Sequence, residues 1–68
     1  MDELLIFKIC LDETGEEIDA RYKKEYDEFC HGRTPLHGRD LPYPFVDEII
    51  DGKVVRTREV YIYRAFYD

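Results

Sequence analysis

Two short segments of this chain are apolar at odd and even positions alike, and this strongly limits how the chain can fold. They cover residues 4–11 (LLIFKICL) and 60–67 (VYIYRAFY). Because side chains alternate between the two faces of a strand, each segment would place apolar groups on both sides of a sheet. One helix is predicted between them, and one helix can cover one face. We therefore expect the other face to meet another protein or a second copy of this chain.

Length and composition indicate a single small folded domain over residues 1–68. A chain of 68 residues is near the lower limit for a single apolar core. With 44% hydrophobic and 15% aromatic residues it is too apolar to be disordered. The first apolar segment is too short to span a membrane, and it lacks the cationic flank of a signal peptide. We therefore predict a cytoplasmic protein with no membrane partner.

The net charge of −6 lies entirely in the first part of the chain. Residues 1–28 contain ten acidic and four basic residues, whereas residues 29–68 contain six of each. Without a basic stripe, direct binding to nucleic acid is not expected. The negative charge would instead attract a basic partner, such as the nucleic-acid-binding surface of another protein, and it would also favour solubility.

A helix is predicted over residues 15–31. The sequence from Thr14 to Glu17 (TGEE) matches a capping box, in which a threonine and a glutamate three residues later cap each other's backbone N–H groups. At about 100° per residue, one side of this helix collects the apolar and aromatic residues Ile18, Tyr22, Tyr26, Phe29 and Cys30. Gly32 is placed to end the helix. The alternative, a turn over 13–16 followed by a strand over 17–24, conflicts with both patterns.

The last part of the chain predicts a hairpin with strands over about 45–50 and 53–67. Asp51-Gly52 between two apolar runs is typical of a two-residue hairpin turn. The resulting register places Ile50 opposite Lys53, Ile49 opposite Val54 and Asp47 opposite Arg56.

The predicted fold is a small α+β domain with β-α-β-β order. Its strands cover about 4–11, 45–50 and 53–67, and they form a three-stranded mixed sheet with the order 1-3-2 and the helix on one face. Residues 32–44 contain three prolines and two glycines, so we predict a loop there.

The sequence leaves open which face of the sheet meets the helix. If even positions face outward, as Lys8 and Arg64 suggest, the odd residues form the core: Leu5, Phe7, Ile9, Leu11, Tyr61, Tyr63, Ala65 and Tyr67. The opposite arrangement buries Val60, Ile62 and Phe66 and exposes the three tyrosines, a residue type enriched at interfaces. In a third arrangement, the loop 32–44 folds back over the uncovered face.

Residues suited to metal or covalent chemistry are present, but not in a useful pattern. Cys10, Cys30, His31 and His37 lack the paired spacing of zinc sites. Cys10 lies next to the start of the predicted helix and Cys30 at its far end, about 20 Å away at 1.5 Å per residue, which is too far for a disulfide. The chain has no serine and no glycine-rich phosphate loop. We predict no enzyme activity, no metal and no cofactor.

These observations predict a small acidic binding module that inhibits or modulates a partner protein by occupying a basic or nucleic-acid-binding surface. In size and charge the chain resembles the compact acidic inhibitors made by viruses and mobile elements, some of which imitate nucleic acid. The alternative is a structural homodimer or a subunit of a larger assembly. The predicted partner-binding residues are Tyr61, Ile62, Tyr63 and Tyr67 on the last strand, Asp12, Glu13 and Glu16 near the helix start, and Arg33 and Arg39 in the loop.

Overall fold

The computed structural model describes residues 2–67 and shows an α+β domain with one helix and a four-stranded sheet. Its elements in chain order are β1 (Asp2–Cys10), α1 (Gly15–Cys30), β2 (His37–Pro42), β3 (Val46–Ile50) and β4 (Lys53–Ala65). The long strand β4 is central. β1 pairs along one of its edges, whereas β2 and β3 pair with successive parts of the other edge, and all three pairings are antiparallel.

The predicted three-stranded mixed sheet in the order 1-3-2 is therefore wrong. The last strand is central as expected, but residues 37–42 of the predicted loop form the additional strand β2. The Tyr43 N–H donates to the Glu59 carbonyl, and the Leu36 N–H donates to the Ala65 carbonyl. The backbone groups of the odd residues of β4 therefore point toward β2. Pro42 is opposite Val60, an even residue. Its ring nitrogen therefore points away from β4, where a proline removes no hydrogen bond.

The predicted helix is confirmed to within one residue, and the strand alternative over 17–24 is wrong. Its capping box is present: the Glu17 N–H donates to the Thr14 hydroxyl at 3.2 Å, and the Thr14 N–H donates to the Glu17 carboxylate at 3.4 Å. The chain leaves the helix through two residues with positive φ, His31 at 51° and Gly32 at 76°. Gly32 thus ends the helix as predicted, and His31 shares the left-handed conformation.

The hairpin register is also confirmed, and the two turn residues explain it. Asp51 and Gly52 have φ values of 52° and 78°, as a type I′ turn requires. The predicted cross-strand ion pair forms, with 3.1 Å between Arg56 Nε and Asp47 Oδ1.

The hairpin projects beyond the part of the sheet that the helix covers. The molecule measures 43 × 20 × 18 Å, and the opposed side chains of Ile49 and Val54 are 75% and 71% exposed. We call residues 46–57 the arm.

The helix packs on the face that contains Phe7 and Ile62. Phe7 meets the ring of Tyr22 edge to face at 5.3 Å between centroids, and Phe29 meets Phe66 at 5.8 Å. Phe7, Ile62 and Phe66 are at most 2% exposed and form the centre of the core.

The register between β1 and β4 decides which side chains face the helix. Directly opposed residues share a face, and Phe7 is opposite Val60 whereas Leu5 is opposite Ile62. Odd positions of β1 and even positions of β4 therefore face the helix. The first predicted arrangement, in which odd residues face the helix, is right for β1. It is wrong for β4, where even residues face the helix as in the second arrangement. The two strands differ because odd residues of β1 lie opposite even residues of β4.

Glu13 and Arg21 join the helix to the end of β1. The Cys10 N–H donates to Glu13 Oε1 at 2.8 Å, and Arg21 Nη2 donates to the same oxygen at 2.8 Å and to the Lys8 carbonyl at 2.6 Å. The Cys10 N–H and the Arg21 guanidinium hold the pKa of the Glu13 carboxyl below its ordinary value of 4.5. The ionised form of Glu13 is thus part of the fold.

We expect the free energy of unfolding to fall as the pH drops below about 4.5, because the unfolded Glu13 carboxyl binds a proton before the folded one does. Glu3 and Glu48, held by Arg33 and Lys8, have lowered pKa values and act in the same direction. In Glu13→Gln this acid-induced loss should be smaller. Urea unfolding midpoints measured across the acid range test this, with Glu16→Gln as a control of equal charge. A variant that retains the full acid-induced loss would contradict it.

Candidate protein-binding face

The side of the sheet that faces away from the helix is called the open face. It contains the even residues of β1 together with the odd residues of β4, as the register requires. Tyr61 lies between Ile6 of β1 and Leu41 of β2, and Tyr63 lies between Leu4 and Arg39. The added strand β2 thus widens the open face. The predicted arrangement in which residues 32–44 fold over it is wrong.

The centre of the open face is apolar and accessible to solvent. We define the apolar patch as Leu4, Ile6, Leu41, Tyr43, Tyr61 and Tyr63. Four of these side chains are 39–46% exposed: Leu4, Ile6, Leu41 and Tyr43. The rings of Tyr43 and Tyr61 pack with centroids 4.8 Å apart. A contiguous apolar surface of this kind is typical of an interaction site.

An ion pair closes one end of the patch. Lys8 Nζ lies 3.0 Å from both carboxylate oxygens of Glu48, and Glu48 also accepts from the Thr57 hydroxyl at 3.1 Å. Because Lys8 lies on β1 and Glu48 on β3, the pair crosses over β4 and covers Thr57, which is 1% exposed. The Glu48 contact raises the pKa of Lys8, and the Lys8 contact lowers the pKa of Glu48. The pair gives this end of the patch little net charge.

Arg39 lies at the other end of the patch, in a shallow pocket that Asp2 also lines. The guanidinium carbon of Arg39 lies 5.3 Å from the centroid of the Tyr63 ring. This stacking leaves the edge of the guanidinium available to carboxylates or carbonyls of a partner.

Three predicted site residues meet on the open face, and one lies in the core. Tyr61, Tyr63 and Arg39 are brought together by the pairing of β2 with β4. Ile62 is 0% exposed beneath the helix, so we leave it out of the proposed surface. Tyr67 follows β4 and is 82% exposed.

The remaining predicted site residues lie away from the patch. Arg33 holds the fold together: Nη1 lies 2.8 Å from Glu3 Oε2, and its guanidinium carbon lies 4.1 Å from the centroid of the Phe66 ring. Glu13 is bound to Arg21, as described above. Asp12 and Glu16 are exposed near the start of the helix.

Sequence reasoning missed Leu41 and Tyr43, because they were assigned to a loop on account of its prolines. No period-two pattern marks this segment, since Leu41 is the one large apolar residue among residues 37–41. Pro42 stands at the end of β2, where proline is tolerated, so its presence does not exclude a strand.

The acidic surface and the apolar patch lie on different sides of the molecule. The exposed acidic residues of the helix are Glu16, Glu17, Asp19, Asp27 and Glu28. The helix covers the face opposite to the patch, so these carboxylates lie on the far side of the sheet from a partner docked on the open face. Their effect is on long-range attraction rather than on contact.

The cysteines and the possible metal ligands are dispersed in the part of the chain that the structure describes. Over residues 2–67, no three His, Cys, Asp or Glu side chains gather as metal ligands. Cys10 is half-buried and Cys30 buried, and both are free thiols. No helix among these residues is long and apolar enough to cross a membrane.

Together these features define a single-helix α+β domain with one uncovered side of its sheet. The chain matches no protein-family model, no curated protein and no solved structure. Its function must therefore be inferred from its own residues.

Proposed function

We propose that this protein is a binding module that docks its open face on a partner protein. The observation that carries the proposal is the apolar patch, which is left uncovered by a helix that packs on the opposite face. In a domain of this size an uncovered sheet face costs stability, since its apolar area gains nothing from folding.

The arrangement of residues on the open face is that of a small interface. Specific interfaces place aromatic and aliphatic side chains at the centre and polar groups at the rim. Here Tyr61 and Tyr63 lie at the centre, whereas the Lys8–Glu48 pair and Arg39 lie at the ends. Tyrosine and arginine are the residue types that most often dominate binding energy.

The chain's charge favours a partner with a basic surface. At a net charge of −6, a basic partner would be attracted over about a Debye length, roughly 8 Å at physiological salt. Docking through the open face would then bury the apolar patch and obstruct a basic surface that lies next to the docking site. We therefore propose an inhibitor or modulator of a protein that binds nucleic acid or another acidic ligand.

The test is to remove the patch without removing the fold. Leu41→Asp places a charge in the patch, and Leu36→Asp makes the same change at a leucine before β2 that is 62% exposed. Both variants are immobilised beside the wild type and used to capture partners from source cells. We expect one stoichiometric partner that Leu36→Asp retains and that Leu41→Asp binds at least about tenfold more weakly.

Equal capture by Leu41→Asp and wild type would contradict docking through the open face. Binding that persists at about 0.5 M salt, with association slowed, would support an apolar contact steered by charge. A patch that pairs with itself would instead give a homodimer disrupted by Leu41→Asp, which favours the structural alternative.

A further inference from the structure

The backbone of β1 is paired on one side, and the other side is an edge. The Leu11 N–H donates to the Arg56 carbonyl, so the odd residues of this segment direct their backbone groups toward β4. The even residues direct theirs outward. The Lys8 carbonyl and the Cys10 N–H fit this alternation, because side chains of Arg21 and Glu13 bind them from outside β4.

The side chains of Arg21 and Glu13 occupy the outward backbone groups at one end of this edge, and the rest of the edge is open. Among residues 2–67, no hydrogen bond from another segment reaches the outward groups of Leu4 or Ile6. The open stretch runs from Asp2 to the N–H group of Lys8, whose carbonyl accepts from Arg21, and we call it the free edge. The other outer strands are less suited to pairing, since β2 ends in Pro42 and β3 has five residues.

The even residues of the free edge, which lie on the open face, are complementary to themselves when the segment is read in the opposite direction. If two copies align antiparallel with Leu5 opposite Leu5, then Leu4 meets Ile6 and Asp2 meets Lys8 of the other copy. Leu4 and Ile6 would exchange their outward hydrogen bonds. The carboxylate of Asp2 would come beside the ammonium of Lys8, which pairs with Glu48 in the single chain and would be shared between the two carboxylates. We propose that a second copy of this chain pairs with the free edge in this register, forming a symmetric dimer with one continuous sheet.

Neighbouring registers are less favourable. With a shift of one residue, the outward backbone groups of one copy would face odd residues of the other copy. The backbone groups of those odd residues already bond to β4, so no ladder could form. A shift of two residues in either direction places Asp2 opposite Ile6 or Lys8 opposite Leu4, so that the Asp2–Lys8 pairing is lost. The proposed register keeps this pairing on the open face, and on the helix side it places Glu3 opposite Phe7.

The dimer would have a consequence for the open face. The two-fold axis of an antiparallel strand pair is perpendicular to the sheet, so both helices lie on one side and both apolar patches on the other. Leu4 and Ile6 of the two copies become neighbours, and the patches merge. This inference goes beyond the proposed function and does not rest on it.

The experiment is sedimentation equilibrium over a concentration series up to about 100 μM, with two matched pairs of variants. Asp2→Lys places like charges opposite each other twice, and Asp12→Lys makes the same change outside the free edge. We expect the dimer dissociation constant to rise about tenfold or more for Asp2→Lys and to stay unchanged for Asp12→Lys.

The second pair tests the backbone directly. A chemically synthesised chain with Nα-methylated Ile6 lacks one outward N–H group of the free edge, and Nα-methylated Asp40 lacks an outward N–H group of β2. The first should be monomeric and the second dimeric, with unchanged circular dichroism in both. A monomeric wild type would overturn the inference. So would a dimer that tolerates methylation of Ile6 but is lost in Leu41→Asp, because the open face would then form it.

Discussion

Replacement of Phe7 by alanine should lower the free energy of unfolding by about 3–5 kcal/mol, the usual cost of removing a buried phenylalanine. Phe7 is 1% exposed, its ring meets Tyr22, and the guanidinium carbon of Arg21 lies 4.4 Å from its centroid. No other ring joins β1 to the middle of the helix among the described residues. The cavity would therefore open between sheet and helix, where a small domain has little stability to lose.

Phe45→Ala is the matched control, because it removes the same ring from the surface. Phe45 is 37% exposed and contacts Arg58, with 4.7 Å from the guanidinium carbon to the ring centroid. We expect a loss of about 1 kcal/mol or less. Urea unfolding followed by circular dichroism measures both variants. Similar losses would mean that Phe7 does not organise the core.

Substitution of two glycines by alanine should change stability in opposite directions. A Cβ at Gly38 would overlap the Tyr63 carbonyl oxygen and the Arg64 side chain, whereas a Cβ at Gly15 would meet nothing within 4 Å. Arg64 passes over Gly38 to reach the Tyr26 hydroxyl at 2.9 Å and Asp40 at 3.1 Å. Gly38→Ala must displace this side chain or β2 itself, at a cost of about 1–3 kcal/mol.

Gly15→Ala should raise the free energy of unfolding by about 0.4–1 kcal/mol, since Gly15 is the first helical residue and alanine restricts the unfolded chain. Thermal unfolding midpoints of the two variants show whether each substitution raises or lowers stability. Amide exchange in β2 locates the effect, because the Arg39 and Leu41 N–H groups should lose protection in Gly38→Ala. A neutral Gly38→Ala would show that β2 is not held closely against β4.

The parts of the fold that the sequence predicted correctly depend on local rules. The capping box at Thr14 and the Asp51-Gly52 turn each involve groups within a few residues, so their geometry follows from residue type. The central position of β4 followed from its length and its apolar character on both faces.

The parts that sequence reasoning missed depend on contacts between distant residues. Which face of β4 meets the helix is decided by its offset against β1, and no local pattern in either strand gives that offset. The strand β2 forms because β4 offers an unpaired edge, and this overrides the weak strand propensity of a segment rich in glycine and proline.

Residue type alone could indicate part of the candidate face. Tyr61, Tyr63 and Arg39 were selected from residue type and lie together, because β2 places Arg39 beside Tyr63. Glu13 and Arg33 were selected for their charge. Glu13 instead pairs with Arg21, and Arg33 pairs with Glu3. These partners become apparent only when the helix and β1 are in contact.

The projecting arm gives β4 two different surroundings within one strand. Its second half is held between β1, β2 and the helix, whereas most of its first half is held by β3 alone. Because cooperative opening requires shared buried contacts, the tip around Asp51 can separate its strands while the core remains folded. The protein therefore has a rigid part, formed by the helix and the sheet beneath it, and a hairpin tip that opens more easily. A ligand bound at the tip would lose contacts whenever the strands separate, whereas a ligand bound to the rigid part would not.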